Sequence, residues 1–220
     1  VYYNSNRYVT VSRRQLPSGS WQHCVLTDYQ QTINDNHNTI SMGISPADGR
    51  IHLAFDHHTS NLHYRMSSAG VAGNPGNYSW NASLFGAVTS SLGGQSVSEF
   101  TYPHFMTAPD GTFLLYGRIG TSGDGDNHIW RYNNNGSWAI LGKFLEGGGE
   151  NAYFHGICYD GNNNLHATWC WRATSSGYTN HDLLYAFSDD HGVSWKNTHG
   201  NTIAVTGSNP IDPAKDFYVW

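Results

Sequence analysis

Asp35-Asn36-His37-Asn38-Thr39-Ile40-Ser41-Met42-Gly43-Ile44-Ser45-Pro46-Ala47-Asp48-Gly49-Arg50-Ile51-His52-Leu53-Ala54-Phe55-Asp56-His57-His58-Thr59-Ser60-Asn61-Leu62-His63-Tyr64-Arg65 reads as three strands joined by two turns. Residues 39–44 form a first run closed by Pro46-Ala47-Asp48-Gly49, residues 51–55 alternate apolar with small or polar side chains, and residues 62–66 follow a short polar loop. Proline presets φ, and Asp-Gly tolerates a tight reversal, so an antiparallel meander is expected. In that meander His37 enters the first strand while His57 and His58 leave the second. A hairpin folded at Asp48-Gly49 returns those ends to one edge of the sheet, so histidines from both strands are expected to face one site.

The same unit recurs along the chain. Apolar segments bracket Asp-Gly at Asp48-Gly49, Asp110-Gly111 and Asp160-Gly161, separations of roughly 50 to 60 residues that suit four-stranded blades with variable loops. The segments after the turns, 51–57, 113–118 and 165–172, each run into a polar or charged group. Equivalent blade strands radiate around one axis, so His57, Arg118 and Arg172 are expected at the same end of a central channel. Ser188-Asp189-Asp190-His191-Gly192-Val193-Ser194-Trp195 fits the Asp-box pattern Ser-x-Asp-x-Gly-x-x-Trp, in which Asp and Ser bond turn amides, Gly permits positive φ and Trp packs the turn on its blade. His191 inside it reads as a turn residue.

The expected fold is therefore all-β, a β-propeller of four-stranded blades. At about 50 residues per blade the 220 residues supply about four blades. Residues 1–220 then read as the N-terminal part of a single propeller catalytic domain, seven-bladed when complete, with Asp216-Phe217-Tyr218-Val219-Trp220 opening a further strand.

Composition agrees and narrows the partners. An apolar fraction of 38% with 25 Gly, 8 Trp and 14 Tyr suits short aromatic strands and tight turns. Lys plus Arg at 11 against Asp plus Glu at 16 leaves a net charge of −5. There is no basic field for nucleic acid, so an anionic substrate must be caught by a few placed residues. No apolar run of membrane length occurs, and a leader peptide would precede Val1. Sequons at Asn77, Asn81 and Asn135, with low Lys and high Asn, Ser, Gly and Trp, point to a secreted glycoprotein.

Cys24, Cys158 and Cys170 are an odd set. A hairpin turning at 160–164 puts Cys158 opposite His166 or Ala167, leaving Cys170 offset by roughly 10 Å, beyond disulfide reach. His155, Cys158, His166 and Cys170 have zinc-like spacing, but strand parity lets at most three share a face, and a fourth ligand would have to come from elsewhere. Asp124-Gly125-Asp126-Asn127 reads as a turn rather than a calcium loop.

His37-Asn38-Thr39-Ile40-Ser41-Met42-Gly43-Ile44, the following Asp48 to His58, and Leu62-His63-Tyr64-Arg65 resemble the opening of the BNR-repeat seven-bladed propeller polysaccharide lyases. The pattern of His37, His57, Tyr102 and Arg118 is most similar to the fungal L-rhamnose-α-1,4-D-glucuronate lyases, with ulvan lyases as relatives. The resemblance covers most of the chain. It implies a secreted, monomeric lyase that cleaves a glycosidic bond to O4 of a glucuronate by β-elimination and needs no organic cofactor. It also implies that some members carry a structural Ca²⁺ or Zn²⁺.

That chemistry wants these residue types. Removing the C5 proton builds an enolate-like intermediate, so the site needs a base, cations or donors for the carboxylate, and an acid for the leaving O4. On the resemblance, His57 is the base, alone or as the acid in turn, Tyr102 donates to or accepts from the leaving oxygen, and His37 and Arg118 hold and neutralise the carboxylate, with His58 and Arg172 as further substrate contacts. Without the resemblance, a strand-end His is a surface or turn residue, Tyr102 is packing just ahead of a strand, and Arg118 is a rim ion pair. Two other function classes share the fold: a sialidase-type hydrolase, which needs paired carboxylates or an arginine cluster around a nucleophilic Tyr, and a silent sugar-binding propeller.

Overall fold

The computed structural model describes residues 1–215. Seventeen strands build it, and among the described residues helix is confined to three-residue 3₁₀ turns. The first sheet is β1 (Tyr2–Tyr3), β2 (Tyr8–Arg13) and β3 (Gln22–Gln30). The second is β4 (Ile40–Ile44), β5 (Ile51–Phe55) and β6 (Tyr64–Met66), and the bridges Tyr64–Thr89 and Ser67–Phe85 give it an irregular fourth edge. The hairpin β7 (Ser91–Leu92) and β8 (Gln95–Ser96) follows.

Next come β9 (Phe100–Thr107), β10 (Phe113–Thr121), β11 (Asp124–Tyr132) and β12 (Trp138–Leu145). After them lie β13 (Asn151–Tyr159), β14 (Leu165–Arg172), β15 (Asn180–Ser188), β16 (Ser194–Lys196) and β17 (Thr202–Val205). These two groups are antiparallel throughout and meet at a single parallel bridge, Gly125 with Asn151. We therefore treat them as a third and a fourth sheet.

The three Asp-Gly turns join the first and second strands of the second, third and fourth sheets, the equivalent places expected from the repeat. In each, the aspartate Oδ1 accepts from the amide two residues on: Arg50, Thr112 and Asn162. Gly49 and Gly111 take φ of 65° and 91°, whereas in the longer third turn Asn163, at 67°, carries the left-handed position. The segment opening at Asp216 lies outside the described residues.

Second strands have sheet neighbours on both sides and packed layers on both faces, so they carry continuous buried runs. All five residues of β5 are buried, as are the first six of β10. One apolar cluster fills each junction between consecutive sheets. Val9, Val11 and Leu26 meet Leu53 and Phe55, Tyr64 meets Phe105, Phe113 and Trp138, and Leu114 and Phe144 meet Trp169 and Trp195. Gly43 shows how closely the layers approach, because a Cβ there would come within 2.6 Å of Phe105 and Phe113. The first strands gather in turn, β4 beside β9 and β9 beside β13, and the candidate site forms along that line.

The register puts Cys158 opposite His166 and Cys170 opposite Tyr153, so no disulfide forms and all three cysteines are free. The Asp box closes the β15–β16 turn as expected. Ser188 and Asp190 accept the amides of Gly192, Val193 and Ser194, His191 sits at φ 60°, and buried Trp195 stacks on Phe144 at 4.8 Å.

Candidate functional site

A cavity of about 540 Å³ opens where β9, β10, β11 and β13 converge, lined by Tyr102, His104, Arg118, Asn127, Asn151 and Tyr153 among others. Its shape follows from two bulges. The β9–β10 register slips between Tyr116 and Arg118, and Tyr102 takes φ 58°. A left-handed bulky residue is strained by order 1–3 kcal/mol, and such strain gathers beside functional sites. The β13–β14 register slips between Phe154 and Gly156, which leaves His155 unpaired at the cavity edge.

The bulges turn two tyrosines toward each other. Tyr102 Oη lies 3.1 Å from Tyr153 Oη, Arg118 sits 5.2 Å from the centre of the Tyr102 ring, and Arg172 sits 3.4 Å from that of Tyr153. Burial, and then the bond to Tyr153, push the Tyr102 hydroxyl up to about 12. For Tyr153 burial also acts upward, but the Tyr102 bond and the charges of Arg172 and Arg118 outweigh it and bring the hydroxyl below its ordinary value. The two hydroxyls share one hydrogen bond, and the arginine charges beside Tyr153 favour its ionised form over that of Tyr102.

Arg118 is buried, its Nη2 donating to Thr101 Oγ1 at 3.1 Å while its Nε has no partner. Thr101 Oγ1 also accepts the Thr59 amide, which ties the loop after β5 to the arginine. Neither Arg118 nor Arg172 is in an ion pair among the described residues. The site thus has unneutralised cations in a chain of net charge −5. Asn127 donates to the Ala152 carbonyl. Asn151 is 0% exposed, and neither its Oδ1 nor its Nδ2 has a partner. Such unsatisfied buried groups cost about 1–3 kcal/mol each.

Beside Tyr102 stand the histidines. The His37 ring is 6.1 Å from that of Tyr102 and stacks on His58 at 4.1 Å. One carboxylate serves both: Asp35 Oδ1 is 2.5 Å from His37 Nδ1 and Oδ2 is 2.6 Å from His58 Nδ1. The His37 amide and then these two side chains hold the Asp35 carboxyl well below the usual range. An imidazole that gives its Nδ1 hydrogen to a carboxylate keeps Nε2 as its free acceptor. The side chains of His37 and His58 are 43% and 40% exposed.

His57 does not join this group. It is 0% exposed, its Nε2 accepts the His63 amide at 2.8 Å, and burial lowers it to about 3. Asp56, at φ 60°, turns the backbone as β5 ends. Its carboxylate is locked by Tyr29 and Asn38, and the turn sends His57 inward and His58 outward. The proton acceptor expected at His57 is buried and, unlike Tyr102 and Arg118, is not among the residues that line the cavity. Tyr102 also differs from expectation, lying inside β9 rather than ahead of a strand, and Arg118 lies within β10 rather than at its end.

As for metal ligands, His155, Cys158, His166 and Cys170 form no converging set among the described residues. Among the described residues, Asp35, His37 and His58 are the one group of three that brings ligand atoms within 4.8 Å of one another.

A family profile described as "BNR repeat-containing family member" matches residues 1–220. The chain belongs to the BNR repeat-containing family. Similar curated proteins include the long ulvan lyase isoform of Alteromonas sp. (strain LOR), 29% identical over 210 residues, with 76% of this chain and 21% of the relative covered. The long isoform of Pseudoalteromonas sp. (strain PLSV) gives the same identity and coverage, and the short Alteromonas sp. (strain LOR) isoform is 26% identical over 214 residues, with 76% of this chain and 40% of the relative covered. The chain therefore spans about a fifth to two fifths of these relatives. Among solved structures, polysaccharide lyase Uly1 superposes with a TM-score of 0.83 at 23% identity, over 97% of this chain and 54% of its own. An ulvan lyase bound to -[GlcA(1-4)Rha3S]- gives 0.60 at 14% identity, over 96% and 55%.

In this BNR repeat-containing chain Tyr102 and Arg118 line the cavity, Arg172 stacks on its Tyr153, the His37–His58 pair stands beside Tyr102, and His57 is buried apart from them. Sequence reasoning missed Asp35, Tyr153, Asn127 and Asn151. Tyr153 had a signal: it is the third residue of β13, as Tyr102 is of β9, and each ring has an arginine from the following strand set against it.

Proposed function

We propose that the chain carries the active site of a polysaccharide lyase that cleaves bonds to O4 of glucuronate by β-elimination. The observation that carries this reading is the cavity's donor set: a hydrogen-bonded tyrosine pair between two arginines, a carboxylate-held histidine pair alongside, and no acidic residue among the lining residues. Arg118 pairs the uronate carboxylate and stabilises the charge that grows on it as the C5–H bond breaks. Nε2 of the His37–His58 pair takes that proton, the role first expected of His57. The C5–H electrons form the C4–C5 double bond and the C4–O4 bond breaks. Tyr102 donates its proton to O4, an alcohol whose acidity is close to that of a phenol raised to about 12.

The relatives named ulvan lyase support a glucuronate linked to rhamnose as substrate, and the rhamnose-α-1,4-glucuronate bond is the linkage we propose. A polymer of that kind is met outside the cell, where the exposed sequons Asn77, Asn81 and Asn135 are open to glycosylation. The second, third and fourth sheets, with the first before them, are proposed as successive propeller blades. The fold shared with Uly1, of which the chain covers 54%, supports reading these sheets as one continuous arrangement.

Two arginines around a tyrosine pair also begin a Tyr-nucleophile hydrolase site, and the product separates the readings. Incubating the protein that carries this chain with ulvan, and separately with rhamnose-capped glucuronate chains, should release a 4,5-unsaturated uronate absorbing in the ultraviolet. Release of saturated sugars alone would mean hydrolysis.

A further inference from the structure

Beside the cavity the chain buries an amide side chain with no bonding partner among the described residues, and holds it there by the close approach of two sheets. Asn151 is 0% exposed and both polar ends of its side chain lack partners, although its backbone makes the bridge to Gly125. Arg118 Nε, also buried, is likewise unpartnered. Gly125 lies between the two. A Cβ on it would come within 3.0 Å of Asn151 Oδ1 and 3.1 Å of Arg118 Cδ, so glycine is what lets the amide and the guanidinium share one corner.

An amide left without partners in a folded interior is costly, and it is tolerated where a ligand supplies the missing bond. The neighbour of Asn151 is a cation with a spare N–H, so the ligand that satisfies both is planar, anionic and acceptor-rich. A carboxylate fits: one oxygen takes the guanidinium and the other takes an amide hydrogen. We infer that Asn151 is a substrate-binding residue that donates from Nδ2 to the uronate carboxylate held by Arg118, with Gly125 keeping the corner open. This rests on reading the cavity as a uronate site, and it adds how acid is told from neutral sugar there. Arg118 supplies charge, and Asn151 supplies direction without a second charge.

The test measures binding rather than turnover, so its outcome is separable from that of the lyase proposal. Titrating wild-type protein with D-glucuronate and with its methyl ester, followed by NMR, should show the acid bound more tightly. Asn151→Ala should weaken the acid by about tenfold, the effect of losing a bond to a charged group, and leave the ester unchanged. Asn151→Asp, which keeps the shape and adds repulsion, should weaken the acid further. Gly125→Ala, which crowds the corner while leaving both donor side chains in the sequence, should also lose acid affinity selectively. Thermal melts of each variant establish that it is folded before titration. Equal losses for acid and ester, acid affinity unchanged in Asn151→Ala, or no preference for the acid in the wild type would overturn the inference. An acid preference lost in Asn151→Ala would uphold it even if no lyase product is ever detected.

Discussion

The Asp-box turn and the bulge at Tyr102 are both departures from regular strand, and they are finished in opposite ways. In the Asp box, Ser188 and Asp190 satisfy the turn amides, Ser194 Oγ bonds Asp190 Oδ2 at 2.6 Å, and Trp195 Nε1 donates to Thr206 at 3.1 Å. Around Tyr102, the chain accepts a left-handed tyrosine, leaves Arg118 Nε and Asn151 unpartnered, and keeps its cations unpaired. The first region spends its polar groups on the fold and the second holds them in reserve. Consistency across levels makes a sequence foldable, and local violations concentrate where function needs them.

On that contrast, stability and activity should come apart by region. Trp195→Ala removes a fully buried indole stacked on Phe144 and should cost about 3–5 kcal/mol in denaturant unfolding, with the Michaelis constant for the proposed reaction unchanged in the protein that remains folded. Arg118→Ala should do the reverse, lowering turnover by about 10² to 10³ more than it raises the Michaelis constant, with the melt little changed. A variant of either kind that lost both equally would break the comparison. Tyr102→Phe keeps the ring against Arg118 and removes only the proton, so turnover should fall by about 10² with binding retained. Wild-type turnover in that variant would remove Tyr102 from the chemistry.

The mildest test uses acid. His52 and His57 are both 0% exposed and are lowered by burial to about 4 and about 3. Above the unfolded value near 6.5 both states are neutral, and these residues add no pH dependence. Below it the unfolded chain takes up protons that the native state refuses, so stability should fall with pH by about 1.4 kcal/mol per unit for each histidine until its folded value is reached. Chemical denaturation at pH 7, 5.5 and 4.5 would measure this, and His57→Gln should reduce the slope by one proton's worth. A slope unchanged in that variant would place His57 in contact with solvent after all.

The repeat was legible because spacing is a one-dimensional property. Three Asp-Gly turns and an Asp box mark strand reversals whatever the loops between them do, and they fell at equivalent places. The site was legible only in part, because which way a side chain points depends on backbone detail. Alternation along β5 alone leaves His57 and His58 equally eligible, and it is the φ of 60° at Asp56, with its carboxylate bound to Tyr29 and Asn38, that assigns one to the interior and the other to the exposed stack on His37. Tyr153 was hidden by a register slip at His155. Asn151 was hidden because asparagine in a sequence suggests a turn, and only the Gly125 bridge shows it beneath a cavity.

That bridge has a mechanical side. The third and fourth sheets are each laced by many backbone hydrogen bonds, yet between their strands the backbone pairs at one bridge, Gly125 with Asn151, with a few further bonds from β12 to residues 207 and 211 past β17, and much of the remaining adhesion is apolar side chains. Under tension a ladder of hydrogen bonds resists sharply over a short distance, whereas side-chain contacts give way gradually. A chain pulled from its two ends should yield in instalments, sheet by sheet, with the parting line running through the cavity. A bound sugar acid gripped from both sides would act there as a rivet.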